Sequence, residues 1–264
     1  MSSMFRLILV SCIAASSLPK VMGYDLQEAD FDKENKKMRE DFGIRKRQDN
    51  PANSIPTCKN VTEKVSGIYN ISGSNRWYDS FQAYCEQEAH NGGWMIIQHR
   101  KDGRLNFNRD WNDYENGFGQ VDGEMWLGLK LIRQFTQQYH CELLVEMKDF
   151  KGNYKYAKYD SFAIGFDKQA YKLSTLGKHS GTAADSLRGH VGIKFSTKDQ
   201  DNDETILNHC AEDWEGGWWF NNCFQAFLNG LYTRNTNDEN GILWDGFSNN
   251  RTGLSHTRMM IRPY

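Results

Sequence analysis

The sequence predicts an α+β domain organised around a central antiparallel sheet, followed by a loop-rich C-terminal region. Three observations lead there. From residue 57 onward, short stretches of apolar–polar alternation recur, the sign of half-buried strands. The connections between them are short and rich in Gly, Asn and Asp, which suits hairpins better than the crossover helices of a parallel sheet. From about Ser196, long periodic elements give way to Trp and Cys, a composition that needs staples other than secondary structure.

In sequence order, Phe81–Cys85, Trp94–Gln98, Cys141–Met147, Tyr154–Tyr159, Phe162–Phe166 and Tyr171–Leu176 read as strands. In the Cys141 strand, alternation places Cys141, Leu143, Val145 and Met147 on one face. Helical spacing is clearest at Leu131, Ile132, Phe135 and Tyr139, after Gly128.

The protein has 264 residues, 39% hydrophobic and 13% aromatic, enough for one large domain with a substantial core. Its 32 basic and 34 acidic residues leave a formal charge of −2, so no global field draws in nucleic acid or an anionic membrane. Residues 1–23 read as a secretory signal: a short basic opening, an apolar run over Leu7–Ala15, and small residues at Val21-Met22-Gly23. The run is too short for a membrane anchor, which needs about 20 apolar residues. Residues 24–56 are crowded with charge and close on turn formers, so they read as a solvated tail or a short helical arm. Within them Arg45-Lys46-Arg47 is either a processing site or part of a solvated charge run. Residues 57–264 form the globular domain.

Loss of the signal removes Cys12 and leaves five cysteines, which pair in an oxidising compartment. Cys58 with Cys85 and Cys210 with Cys223 are the couples closest in sequence across turn-rich residues. Closing a loop of roughly 15 residues is worth about 3 kcal/mol in the chain-entropy model. Cys141 is left over, either as a buried inert thiol or as the half of an intermolecular bridge.

The run Asp199-Gln200-Asp201-Asn202-Asp203 collects hard oxygen donors beside the Cys210–Cys223 loop, which encloses Trp214, Trp218 and Trp219. Such donors suit Ca2+, which takes six to eight oxygens at about 2.3–2.6 Å. An EF-hand is excluded: Glu204 stands where Gly is required, and the twelfth position from Asp199 is Cys210. Trp218 and Trp219 read as core, and Trp214 as either core or pocket wall. Enzyme chemistry finds no support. None of the seven histidines stands at His-x-x-x-His spacing, there is no Gly-x-Ser-x-Gly elbow, and no phosphate-cradling glycine loop precedes a lysine. His209 adjoins Cys210, but a disulfide sulfur is no nucleophile. Asp110 and Asp113 read as solvated turn residues.

The segments Gly92–Arg100, Trp111–Gly119, Gly123–Gly128, Phe195–Asp199, Gly217-Trp218-Trp219, Leu228-Asn229-Gly230 and Met259–Pro263 closely resemble the fibrinogen C-terminal domain family. The likeness runs in order from about Cys58 to Tyr264. That family includes fibrinogen's own globular ends, ficolins, tachylectins, angiopoietins and tenascins, and its members are extracellular recognition modules. The resemblance implies the same two disulfides and leaves Cys141 outside its pattern.

It further implies a calcium site with carboxylates from Asp201 and Asp203 and backbone carbonyls near Thr205 and Leu207. In the lectin members an acetyl group binds beside this ion, next to a non-proline cis peptide that falls here at Asn222–Cys223. The N–H groups of Cys223 and Phe224 would meet the acetyl carbonyl, and Trp214 and Phe224 would wall in its methyl. The sequence also departs from the lectin pattern, with Phe224 in place of a common His and with Asp238, Glu239 and Asn250 at later wall positions. Asn60, Asn70 and Asn250 head glycosylation sequons. Two functions follow from the resemblance: a secreted lectin-like protein of innate immunity binding acetylated carbohydrates, or an extracellular signalling or matrix ligand binding a cell-surface receptor. A homo-oligomer is compatible with the sequence, although no recognisable assembly motif supports it.

Overall fold

The computed structural model describes residues 54–72, 80–206, 208–234, 241–248 and 251–264. The signal, residues 24–53 of the tail with Arg45-Lys46-Arg47, and Leu207, Asp238, Glu239 and Asn250 lie outside the described residues. The strands run β1 (Gly67–Ser72), β2 (Ser80–Glu86), β3 (Trp94–Arg100), β4 (Phe118–Gly119), β5 (Met125–Trp126), β6 (Cys141–Asp149), β7 (Tyr154–Ile164), β8 (Leu173–Leu176), β9 (His179–Gly181), β10 (Ala226–Phe227), β11 (Leu243–Trp244) and β12 (Leu254–Pro263). Among the described residues three α-helices accompany them: α1 (Trp111–Asn116), α2 (Leu129–Gln138) and α3 (Cys210–Asp213).

The main sheet has ten strands in the path β1-β2-β3-β12-β6-β7-β8, with β5 added to β3, β4 to β5 and β9 to β7, while β10 and β11 pair separately. Neighbouring strands are antiparallel throughout. The fold is α+β, as the alternation and short connections predict. Helix α2 buries Leu129, Ile132, Phe135 and Thr136 and packs against β7. Tyr154–Tyr159 and Phe162–Phe166, expected as two strands, join in β7 as far as Ile164.

One correction concerns the C-terminal third. It was expected to lack long elements, yet β12 spans ten residues and lies at the centre of the sheet, between β3 and β6. Arg258 and Arg262 disguise it, because charges in a strand read as a solvent face. Here Arg258 bonds to Glu86 and Glu146, and Arg262 to Glu142. The same pairs explain a second difference. Besides the predicted face, β6 buries Glu142, Leu144 and Glu146, since the arginines of β12 roof the carboxylates over. Burial alone would raise the Glu86 pKa, but the N–H groups of Ala89 and Glu88 and the Arg258 guanidinium outweigh it and bring it down to about 2.

Disulfides join Cys58 to Cys85 and Cys210 to Cys223, with Cα–Cα distances of 5.4 and 5.8 Å. Cys141 is a free thiol, 1% exposed, at the start of β6. Among the described residues no helix is long and apolar enough to cross a membrane.

Candidate functional site

The loop-rich region is tied to the sheet by buried polar groups. Gln98 on β3 donates to the carbonyl of Leu228 and to Asn229 Oδ1, and Asn229 donates onward to the carbonyl of Gly217. Thr257 on β12 donates to Gln98 Oε1, which completes that amide. Gly217 is required where it stands: a Cβ there would lie 2.7 Å from the Tyr114 ring and 2.9 Å from Phe195. The Tyr114 hydroxyl accepts from the Gly217 N–H and donates to the Phe107 carbonyl, and burial moves its pKa upward. Trp218 and Trp219 are core. Trp218 exchanges backbone bonds with Ser196, and the Trp219 indole donates to the Tyr171 carbonyl.

Three acidic residues of the 199–203 run separate in role. Asp199 Oδ1 accepts from the Trp111 N–H at 2.8 Å and from the Thr197 hydroxyl, so it caps the start of α1. Asp203 braces its own loop: Oδ1 accepts from the Thr205 N–H and hydroxyl, and Oδ2 accepts from the Cys210 N–H at 2.8 Å. Asp201 is exposed and, among the described residues, accepts a single bond, from the Asp203 N–H at 3.2 Å. A carboxylate offers about four lone-pair sites. Asp201 therefore keeps most of its acceptor capacity and Asp203 keeps part of Oδ2. Among the described residues no Lys, Arg or His forms an ion pair with either. An all-oxygen set of two unpaired carboxylates in one short loop fits the chemistry of a hard cation. Thr205 is half-buried beside them, and Leu207 lies outside the described residues.

The peptide bond Asn222–Cys223 is cis. The Asn221 N–H donates to the Cys223 carbonyl at 2.8 Å and the Asn222 N–H to Asn221 Oδ1, whereas the N–H groups of Cys223 and Phe224 donate to no group among the described residues. Trp214 is half-buried, and its ring meets Phe224 edge-to-face at 5.2 Å between centroids. Phe224 is only 6% exposed and also packs against Phe220 and Phe227 at 6.2 and 5.0 Å. Of the sequon residues, Asn60 is exposed and accepts from the Thr57 hydroxyl, and Asn70 is half-buried on β1 opposite Gln82.

Sequence reasoning missed His190. It is fully buried, with Nδ1 2.6 Å from the Trp219 carbonyl oxygen, and its Nε2 accepts from the N–H groups of Gln225 and Ala226. Its neighbours Gly189 and Val191 carry no signal of this, since every partner is about 30 residues away. Arg251, whose guanidinium lies 5.5 Å from the Phe224 ring, was also passed over.

Comparison with known proteins agrees with this architecture. Residues 56–264 match the family model described as fibrinogen beta and gamma chains, C-terminal globular domain. Fibrinogen-like protein 1 of Rattus norvegicus is 42% identical over 217 residues, covering 76% of this chain and 68% of that protein. Angiopoietin-4 of Bos taurus is 40% identical over 202 residues, covering 75% of this chain and 40% of that one. Several other curated relatives are matched over less than half of their length. The fibrinogen-like globe domain of human ANGPTL2 superposes with a TM-score of 0.74 at 38% identity, over 79% of this chain and 98% of that one. The protein thus belongs to the family of C-terminal globular domains found in the beta and gamma chains of fibrinogen.

Proposed function

We propose that this domain is an extracellular ligand that docks a cell-surface protein receptor through its loop-rich end, with a calcium ion bracing the loop between Asp201 and Cys210. The observation that carries this reading is Phe224. Where a lectin of this family would offer an open methyl slot, two rings in edge-to-face contact leave no room between them. Kinship with an angiopoietin supports a signalling role, and two disulfides support an extracellular setting. Asp201 and Asp203 would hold the ion, which would supply fixed charge and loop rigidity and no chemistry of its own.

One observation favours a second reading, the binding of acetylated glycans: the N–H groups of Cys223 and Phe224 have no acceptor among the described residues, as a site for a carbonyl ligand would require. A single comparison separates the two. The calcium-loaded protein is passed over an N-acetylglucosamine resin and, in parallel, titrated onto intact cells. Passage through the resin with saturable, trypsin-sensitive cell binding is expected. Retention on the resin, with elution by free N-acetylglucosamine and loss in chelator, would establish the glycan reading instead.

A further inference from the structure

Around the hairpin that joins β6 to β7, the carboxylates are engaged within the fold and the cations are not. Asp149, 4% exposed, accepts at Oδ1 from the N–H groups of Lys151 and Asn153 and at Oδ2 from the Asn153 amide, which holds the turn. Glu124 accepts from the N–H groups of Lys101, Gly103 and Leu105 and so holds the loop after β3. Glu146 takes Arg258 and the Tyr154 hydroxyl, and Asp102 pairs with Arg104 at 3.6 Å. Lys101, Lys148, Lys151 and Arg234 are all exposed, and among the described residues none of them forms an ion pair. Lys101 Nζ donates to the Asp122 backbone carbonyl in place of a carboxylate.

The sheet gathers these four cations on one side. Strand β12 lies between β3 and β6, with Thr257 opposite Arg100 and His256 opposite Lys148, so Lys101 and Lys148 flank His256 across two strand spacings, roughly 10 Å. The Tyr232 ring meets Phe150 edge-to-face at 5.5 Å, and the Arg234 guanidinium carbon lies 5.5 Å from the same Phe150 ring, which sets Arg234 against the hairpin tip beside Lys151. The histidines feel the resulting field. Burial and the charges of Arg258, Lys148 and Lys101, opposed by Glu146, bring the His256 pKa down to about 4, and His99, its ring 5.0 Å from that of His256, is lowered to about 4 by burial, His256, Arg258 and Lys101.

A ligand that answers all four cations must carry several fixed negative charges along its length, more than one small anion supplies. The whole chain has a formal charge of −2, so the attraction is local to this face. Two disulfides support an extracellular setting, and the anionic lipids of a cell membrane lie on its cytoplasmic leaflet. Tyr154, opposite Lys148 on β7 and 45% exposed, adds a flat apolar surface beside the cations, which suits a sugar ring. We propose that the face formed by Lys101, Lys148, Lys151 and Arg234 binds a sulfated polysaccharide of the cell surface or matrix. None of these residues belongs to the loop between Asp201 and Cys210, and the inference stands without the receptor reading.

The test uses the full-length secreted protein at about 0.15 M salt, with a heparin hexasaccharide as probe and an unsulfated hexasaccharide of the same backbone as control. Two double variants carry the same change in charge: Lys148→Glu with Lys151→Glu on the proposed face, and Lys168→Glu with Lys194→Glu, of which Lys168 follows the far end of β7. All four lysines are exposed, so neither variant empties the core. Calorimetry is expected to show saturable binding of the sulfated chain, at least tenfold weaker in the first variant and within about twofold of the parent in the second. NMR titration should find the His256 pKa moved upward by the bound chain in the parent, because its sulfates offset the charge of Lys101 and Lys148. Equal weakening in both variants, equal binding of the unsulfated chain, tighter binding of phosphatidylserine vesicles than of the sulfated chain, or an unmoved His256 would overturn the proposal.

Discussion

His190 reaches the backbone of Trp219 through a 2.6 Å contact between its Nδ1 and the carbonyl oxygen, and this one bond assigns its tautomer. With the proton on Nδ1, Nε2 is free to accept from Gln225 and Ala226 at 3.3 and 3.2 Å. One neutral ring therefore ties the segment entering the Cys223 loop to the segment leaving it. Truncation leaves a buried carbonyl and two N–H groups with no partner, and unmet groups of this kind cost about 1–3 kcal/mol each. His190→Ala is expected to lower unfolding stability in urea by about 3 kcal/mol or more. A variant as stable as the parent would show that the ring is a passive filler.

Acid should reach the fold through its histidines before its carboxylates. Burial, with His256 and Arg258 beside it, pulls the His99 pKa down to about 4; burial and Arg258 do the same to His256, and burial lowers that of His190. A folded pKa below the unfolded value of about 6.5 means that the unfolded protein binds the proton more readily. Stability from these groups is complete above pH 6.5 and is lost as pH falls toward 4. Glu86, held near 2, gives up its share only below about pH 4.5. In chelator, the fall in Tm between pH 7 and pH 4.5 is expected to be about 5 °C smaller in the His99→Gln, His256→Gln protein than in the parent. Equal falls would acquit both histidines.

Cys141 should behave as part of the core. Its thiol is 1% exposed, burial and the Glu142 charge push its pKa up to about 12, and its Sγ contacts the Tyr139 carbonyl at 3.4 Å. Reactivity belongs to the accessible thiolate, which this site withholds. A thiol reagent at pH 8 is expected to leave the native protein unlabelled and to add one equivalent in denaturant, and non-reducing electrophoresis to show no dimer that Cys141→Ser abolishes. Fast native labelling would contradict the burial.

How much of this was legible in the sequence depended on the range of the forces involved. The strands β2, β3, β6 and β8 and the helix α2 carry their own periodicity, and the two disulfides join cysteines close in sequence across turns. The strand β12 does not announce itself, because Arg258 and Arg262 find their carboxylates on β2 and β6, more than 100 residues away. Composition marked the 199–203 run as a group, but which aspartate caps α1 and which braces α3 is decided by Trp111 and Cys210. Likewise, whether Phe224 lines a slot or fills it depends on Trp214, Phe220 and Phe227 meeting around it.

The division of labour between Asp201 and Asp203 makes the calcium proposal separable from simple loop stability. Asp203 carries three hydrogen bonds that need no ion, among them the charge-assisted bond from the Cys210 N–H. Asp203→Ala is therefore expected to cost about 2 kcal/mol even in chelator, because such bonds are worth roughly 1.5–3 kcal/mol. Asp201 carries one bond among the described residues and is exposed. Asp201→Asn should shift stability in chelator by less than about 0.5 kcal/mol, as for an ordinary surface change. With calcium at 100 times its dissociation constant, the parent should gain about 2.7 kcal/mol by mass action, and Asp201→Asn should forfeit most of that gain. Urea titrations of the three proteins with and without calcium, alongside calorimetry for the heat of binding, measure each of these quantities. If Asp201→Asn kept the full calcium-dependent gain, the ion would have to sit elsewhere, and the loop between Asp201 and Cys210 would be held by Asp203 alone.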